Sequence, residues 1–364
     1  MTATKPDFER FRTAVLCREP DRVPLAELKV EDAVKSAFLG RKLAAASADP
    51  VGYLRDDVEF SAAAGYDYVR VTASLAYPEV KTAHRHRYGD YEADTERAWV
   101  SLAGGAIRTW EDFERFAWPR ADEADLRALD AAARVLPAGM GVVTAVKGGG
   151  IFERAWMLMG MEHFSFCLAD EPKLVEAVVQ RVGRLYVETC ARAVERQGVG
   201  CIWLSDDLAH CGGLLVAPGV LRRLVFPYYR ELAALCRAQG LLFVFHSDGN
   251  LWEVMDDLLE IGFQALHPIE PKAMDIVEVK RRYVGRLCVI GNIDLGYTLT
   301  RGTPAEVAQE VRERIRALAP GGGYCLGSSR RCASASARWP PAAATAWDRA
   351  IPLPSTCLSP TTGR

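Results

Sequence analysis

The segment FHSDGN, at residues 245–250, places an imidazole and a carboxylate at the end of an apolar run. Successive side chains of a β-strand point to opposite faces, so we expect His246 and Asp248 on one face and Phe245 on the other. A histidine with carboxylates suits a divalent metal ion such as zinc, or a general acid–base pair. A hydrogen-bonded pair that fixes a loop is the alternative.

Most other apolar runs of the chain also end on polar side chains. These are Glu27, Thr72, Lys147, Asp206 with Asp207, Glu270, Asn292 with Asp294, and Ser328 with Ser329. In a barrel of parallel strands, the carboxyl ends of the strands meet at one mouth, where the loops form the active site. Converging polar groups at that mouth predict a pocket for a polar ligand or a metal ion.

Several of these groups also have purely structural interpretations. In the SDD segment, Asp206 and Asp207 suit the cap of a helix over the following residues as well as they suit catalysis. Glu270, between prolines, suits a turn. Cys325 would add a thiolate ligand if it faced inward, but it also suits a core position. The KGGG segment at 147–150 resembles a phosphate loop without the spacing of a dinucleotide site.

Short apolar runs alternate with amphipathic helical patterns along the chain, which positions these polar groups. Eight runs lie at residues 22–28, 67–73, 141–146, 201–206, 241–246, 264–269, 287–292 and 323–328. Helical patterns include 170–198, 217–240 and 302–323, the last with Thr303 as N-cap. Alternation of this kind predicts parallel strands, and eight units favour an α/β fold of the (β/α)₈ TIM-barrel type.

Two segments depart from this alternation. Residues 75–110 predict an exposed hairpin or flap inserted after the second strand. We therefore divide the chain into a barrel domain at 1–329 and a low-complexity tail at 330–364, rich in Ala, Pro, Ser and Thr. The tail lacks the pattern of a helix that should follow an eighth strand, which indicates a frameshifted or otherwise aberrant end. A natural disordered tail is the alternative.

Composition narrows the class of protein. The chain has 364 residues, a net charge of −2 and 25% charged residues, so no global field favours nucleic acid or acidic membranes. No apolar run is long enough to span a bilayer. The 10 cysteines are scattered without a CxxC pair, as in a reducing compartment. These features predict a cytoplasmic protein without nucleic-acid or membrane partners. They leave the oligomeric state open, with a homodimer as one alternative.

Taken together, the motifs resemble the uroporphyrinogen decarboxylase superfamily. The resemblance covers roughly residues 10 to 329 and is densest after Asp206. It rests on SDDLAHCGGLLVAPGVLRRLVFPYYRELAALCRAQG, FHSDGN, GFQALHPIEP, GNID and GGGYCLGSS. The resemblance implies a (β/α)₈ barrel whose site lies at the carboxyl-terminal mouth.

One branch of this superfamily decarboxylates uroporphyrinogen without a cofactor, as a step of porphyrin and haem biosynthesis. Its arginine-rich segment after the first strand binds the many carboxylates of the substrate. Here Glu27, Lys29, Glu31 and Asp32 stand in that segment. Added carboxylates would repel a polyanionic substrate, so decarboxylation is the alternative function.

The other branch contains corrinoid-dependent methyltransferases, which carry zinc on a His-x-Cys pair, a glutamate and a further cysteine. The resemblance assigns His246, Glu270 and Cys325 as metal ligands, with Asp248 where the first cysteine is expected. Oxygen ligands leave a harder, more electrophilic metal that would polarise an oxygen. We therefore predict O-demethylation, with methyl transfer from a small O-methyl donor to a partner corrinoid protein.

The same hypothesis assigns roles to the other polar residues at the mouth of the barrel. Asp206 or Asp207 would manage a proton or orient the substrate, and Asn292 and Asp294 would line the pocket as catalytic residues. The predicted substrate-binding residues are Glu27, Lys147 and Ser328. A non-catalytic ligand-binding barrel is the second alternative.

Overall fold

The computed structural model describes residues 5–78, 84–88, 91–95 and 105–328. The tail at 330–364 lies outside the described residues, as do residues 79–83, 89–90 and 96–104 of the predicted insert at 75–110. The proposed disorder or frameshift of the tail therefore stays a prediction.

Helices and strands alternate along the described chain, as the sequence patterns predict. The α-helices are α1 Phe8–Val15, α2 Asp32–Leu39, α3 Pro50–Ala63, α4 Trp110–Arg115, α5 Arg127–Val135, α6 Ile151–Met159, α7 Met161–Asp170, α8 Pro172–Val194, α9 Pro218–Leu224, α10 Phe226–Gln239, α11 Met255–Ile261, α12 Ile276–Arg282, α13 Thr298–Arg301 and α14 Pro304–Leu318. The strands are β1 Tyr68–Arg70, β2 His84–Tyr88, β3 Tyr91–Thr95, β4 Gly141–Thr144, β5 Val199–Ser205, β6 Ala209–His210, β7 Gly213–Leu214, β8 Leu242–His246, β9 Ala265–His267, β10 Cys288–Ile290 and β11 Tyr324–Cys325.

The central feature is a parallel sheet of seven strands in the order β1-β4-β5-β8-β9-β10-β11. The first predicted run adds to the far edge through a parallel bridge between Leu25 and Leu326. At the near edge, the Tyr68 hydroxyl donates to the Glu27 carbonyl at 3.0 Å and accepts from its amide at 2.9 Å. The fold is therefore α/β with a curled, TIM-barrel-like parallel sheet; complete eight-stranded closure stays a prediction.

Side chains alternate across the sheet between an inner and an outer cluster. Val244, Trp203 and Ile290 belong to the inner cluster, whereas Phe243 and Phe245 pack outside against the helices. The predicted alternation along β8 is confirmed. Burial of these large apolar side chains gives the main stabilisation of the sheet.

Helix α1 seals the amino-terminal end of the sheet. Phe11 of α1 is buried and lies 6.4 Å from Trp203 between ring centroids. Beside it, the buried Asp67 carboxylate accepts hydrogen bonds from Arg10 and from Arg22, the latter at 3.2 Å. Because an apolar plug and a paired buried charge fill this end, a ligand site belongs at the opposite, carboxyl-terminal end.

Helix boundaries follow local capping chemistry. Thr303 caps α14 as predicted, because its hydroxyl accepts from the Glu306 amide while the Glu306 carboxylate accepts from the Thr303 amide. The pattern at 217–240 forms two helices rather than one. Pro227 lies at the start of α10, and its missing amide hydrogen cannot continue the helix from α9.

Strands β2 and β3 form an antiparallel hairpin within the predicted insert, with Tyr88 opposite Tyr91. Its role as an exposed flap stays a prediction. Across the described residues, no helix combines the length and the apolar character needed to cross a membrane.

Candidate functional site

Three potential metal ligands meet at the carboxyl ends of β5 and β8. Asp207 follows β5, while His246 ends β8 and Asp248 follows it. One ligand atom from each residue lies within 4.8 Å of the other two. The His246 Nε2 atom is 3.5 Å from Asp207 Oδ1, and that same oxygen accepts from the Asp248 amide at 2.9 Å. The structure thus joins the predicted HSD segment to a carboxylate 41 residues earlier in the chain.

This donor set fits a divalent cation. Zinc binds nitrogen and carboxylate oxygen at about 2.0–2.2 Å, so two tetrahedral ligands lie roughly 3.4 Å apart. The 3.5 Å separation of His246 Nε2 and Asp207 Oδ1 matches that spacing. Movements of less than about 1 Å would bring all three ligand atoms to bonding distance. One imidazole and two carboxylates would hold three positions and leave a fourth for substrate or water.

Glu270 and Cys325 do not belong to this group of three among the described residues. Glu270 follows β9, and its carbonyl accepts from the amides of Ala273 and Met274 in a turn. Cys325 is buried in the inner cluster, with its sulfur 3.9 Å from that of Cys288. Their assignment as metal ligands stays a prediction. The observed contacts are those of a turn residue for Glu270 and of a core residue for Cys325.

Asp206 binds the amino terminus of α6. Its carboxylate accepts from the amides of Ile151, Phe152 and Glu153 at 2.7–2.8 Å and from the Tyr229 hydroxyl at 2.6 Å. The negative charge faces the positive end of the helix dipole. Asp206 is therefore a helix cap, but of a helix 55 residues earlier in the chain rather than of the segment that follows it.

The contact between Asp206 and α6 also bears on whether the KGGG segment at 147–150 can bind a phosphate. The α6 amides that would bind a phosphate already bind the Asp206 carboxylate. A Cβ atom on Gly150 would lie only 2.3 Å from that side chain, so a glycine is needed there. Burial raises the pKa of Asp206 to about 6, and its four hydrogen bonds oppose a larger rise. The group is therefore ionised at neutral pH, as a helix cap requires.

Asn292 and Asp294 follow β10 and have different surroundings. The Asn292 amide donates to the Ile269 carbonyl at 2.8 Å, and its Oδ1 is buried without a hydrogen-bond partner among the described residues. Asp294 accepts from the amides of Gly296 and Tyr297 at 2.7 and 3.0 Å and thereby closes a turn. Asn292 offers an oxygen to a ligand, whereas the contacts of Asp294 are those of a turn residue. Their catalytic roles stay predictions.

The predicted substrate-binding residues fall into two places. Glu27 accepts from the Ser328 amide at 2.7 Å and from the Ser328 hydroxyl at 2.8 Å, which joins the first apolar run to the end of the last. Lys147 follows β4 and is exposed. The structure brings Glu27 and Ser328 together, and contact of any of the three with a substrate stays a prediction.

The Glu27 carboxyl makes a pH-dependent contribution to stability. Burial raises its pKa to about 7, while the hydrogen bonds from Ser328 lower it in part. The native protein thus holds this proton more tightly than the unfolded chain, whose value is 4.5. The resulting stabilisation is complete below about pH 4.5 and is lost as pH rises through about 7.

We therefore expect Glu27→Gln, which cannot ionise, to gain stability relative to the wild type as pH rises from about 5 to about 8. Urea denaturation at several pH values measures this difference. The exposed Glu260→Gln variant serves as control, and its difference from the wild type should stay constant. A difference that is also constant for Glu27→Gln would contradict the raised pKa.

Sequence reasoning missed His267 and Arg70. His267 ends β9, and its Nδ1 lies 2.7 Å from the Nδ1 of His246. Burial and the neighbouring His246 hold the pKa of His267 well below its usual value, so the ring is neutral. Arg70 ends β1 two residues after Tyr68 of the inner cluster, so the two side chains lie on the same face of the sheet. The period of two of a β-strand could have identified them, because each lies two positions after a residue whose side chain faces inward.

Comparison with known proteins agrees with this architecture. The sequence model of the uroporphyrinogen decarboxylase family matches residues 101–332. A solved methyltransferase from Methanosarcina mazei is similar with a TM-score of 0.65, at 17% sequence identity, over 94% of this chain and 96% of that chain. At this identity the likeness shows a shared fold. No curated protein matches the chain.

Proposed function

This chain belongs to the uroporphyrinogen decarboxylase family, and on that premise we propose that it is a zinc-dependent methyltransferase. It would move a methyl group from a small O-methyl donor to the cobalt of a partner corrinoid protein. The proposal includes a closed (β/α)₈ barrel and a cytoplasmic location. The observation that carries it is the meeting of Asp207, His246 and Asp248 at the carboxyl ends of adjacent strands.

The three residues that would bind zinc differ in burial and in position. His246 is buried at the end of β8, whereas Asp207 and Asp248 are partly exposed on the loops after the strands. The hydrogen bond from the Asp248 amide to Asp207 keeps the two loops in register. Asp207 is therefore better assigned as a ligand than as a proton carrier. Glu270 follows the neighbouring strand β9, and as a further ligand it would share the metal with the substrate in a five-coordinate arrangement.

Bound zinc would act as a Lewis acid toward an ether oxygen. The chain's own residues would bind and orient the donor. Asn292 presents a buried oxygen without a partner among the described residues, which suits a hydroxyl or amide hydrogen of a substrate. Two carboxylate ligands and one imidazole make a harder metal site than thiolate ligands would. Such a site favours a substrate that presents oxygen to the metal over one that presents sulfur.

Decarboxylation of uroporphyrinogen would need a cluster of cations beside the first strand. In that segment Lys29 pairs with Glu31 at 3.2 Å, and Glu27 bonds to Ser328. The lysine at position 29 is thus paired with a carboxylate, and residues 27–32 offer no cluster of cations to a polyanionic substrate.

A spectroscopic assay tests the proposal. The zinc-loaded protein is mixed with a reduced corrinoid protein and a panel of methoxylated aromatic and aliphatic compounds. We expect the cobalt spectrum to change to that of the methylated corrinoid, only when protein, zinc and one donor class are all present. The surface variant Asp130→Asn should behave as the wild type. Metal-independent decarboxylation of uroporphyrinogen, with no methylation from any donor, would overturn the proposal.

A further inference from the structure

His246 is hydrogen-bonded to a second buried histidine. The two Nδ1 atoms lie 2.7 Å apart, and the side chains are 2% and 0% exposed. The two residues are direct neighbours in the pairing of β8 with β9. A nitrogen–nitrogen contact this short requires one hydrogen between the rings, because two lone pairs at this distance would repel each other.

Only one of the two possible arrangements leaves His246 ready to bind a cation. If His246 Nδ1 carries the shared hydrogen, its Nε2 has a lone pair directed to the side where Asp207 Oδ1 lies at 3.5 Å. If His267 donates instead, the hydrogen of neutral His246 must sit on Nε2 and would block a metal ion. The choice of donor between the rings therefore affects how strongly Nε2 can bind a cation.

A metal ion on His246 Nε2 requires the first arrangement, in which His267 Nδ1 is the acceptor. His267 Nε2 is buried without a hydrogen-bond partner among the described residues, so the contact between the two Nδ1 atoms orients the ring. The ring of Trp203 packs edge-on against His267, with 5.2 Å between centroids. The backbone is also held, since the His267 carbonyl accepts from the Ser247 amide at 3.1 Å.

We propose that His267 is a positioning residue that accepts the Nδ1 hydrogen of His246 and so keeps the Nε2 lone pair of His246 available at the Asp207–Asp248 site. This inference rests on the proposed function for its purpose, which is metal binding. The ring arrangement itself can be measured without any metal. Groups that orient a metal-binding histidine change metal affinity about 10- to 100-fold when they are removed.

Nitrogen-15 NMR of histidine-labelled, metal-free protein tests the arrangement directly. The chain has six histidines, so single-residue variants can assign the signals. We expect wild-type His246 to carry its hydrogen on Nδ1. In His267→Phe, which keeps a ring but has no acceptor, this preference should disappear. His267→Asn offers a carbonyl oxygen near the position of Nδ1 and should restore it.

Zinc titration of the same proteins provides the second measurement. We expect about 10- to 100-fold weaker zinc binding in His267→Phe and recovery of most of that loss in His267→Asn. A merely structural role would not predict rescue by asparagine, and circular dichroism confirms that each variant is folded. Wild-type His246 with its hydrogen on Nε2, or equal zinc affinity in all three proteins, would overturn the inference. Failure of the wild type to bind zinc would instead refute the metal part of the proposed function, while the NMR result still decides the role of His267.

Discussion

Zinc binding is expected to be lost in His246→Ala, with a decrease in affinity of at least about 100-fold, the upper range for groups that only support a ligand. His246 supplies the only nitrogen of the group of three ligands found among the described residues. Without it, two partly exposed carboxylates would remain, and such pairs bind zinc weakly. Calorimetric titration of the metal-free protein measures the change.

Two other variants test individual ligands of the proposed metal site. Asp248→Cys creates the His-x-Cys pattern that the resemblance to corrinoid-dependent methyltransferases implies, so it should keep or strengthen zinc binding. Because a thiolate makes the metal softer, we expect the same variant to lose activity toward methyl ethers. Glu270→Gln tests whether Glu270 is a further ligand, because the substitution should weaken zinc binding if Glu270 contacts the metal and leave it unchanged if Glu270 is only a turn residue.

A matched control separates metal binding from folding. His210 is exposed and belongs to the short strand β6, so His210→Ala removes an imidazole without touching the three ligands. Its zinc affinity should equal that of the wild type. Unchanged zinc affinity in His246→Ala would refute the assignment of Asp207, His246 and Asp248 as the metal site.

Asp206→Ala is expected to destabilise the protein by about 4 kcal/mol or more. The substitution leaves three buried amide hydrogens of α6 and the Tyr229 hydroxyl without their acceptor. Each buried donor that loses its partner costs about 1–3 kcal/mol. Asp206→Asn keeps one carbonyl oxygen and should lose about half as much. Urea denaturation of both variants gives the free energies of unfolding.

An exposed helix cap provides the comparison. Asp275 caps α12 by accepting from the amides of Val277 and Glu278, and Asp275→Ala should cost only about 1 kcal/mol. The contrast isolates burial as the reason for the larger effect at Asp206. If Asp206→Asn were as stable as the wild type but inactive, Asp206 would act in catalysis, as its sequence position suggested, and its capping contacts would be secondary.

The proposed zinc ligands of this chain are harder than the thiolates that the family resemblance implies. Asp248 stands where a cysteine is expected, and Asp207 follows the neighbouring strand β5. The distinction predicts which methyl donors the protein uses, since a hard cation prefers oxygen. The donor panel of the corrinoid assay therefore tests the chemistry of the ligands as well as the class of reaction.

Local rules explain what could be predicted from the residues alone. The alternation that separates His246 from Phe245 depends on the period of two of a β-strand, and the cap at Thr303 depends on residues three positions apart. The α/β class follows from the repeated strand–helix pattern, because parallel strands need a crossover. Each of these features is determined within a short stretch of chain, so the sequence by itself determined them.

Contacts between distant segments were decided only by the tertiary structure. Asp207 lies near one nitrogen of the His246 ring, His267 contacts the other nitrogen, and Asp206 caps α6. Adjacent aspartates thus have different partners, because neighbouring residues at the end of a strand point in opposite directions. Which partner each one meets depends on the register and curvature of the sheet, and these arise from packing of the whole core rather than from any local pattern.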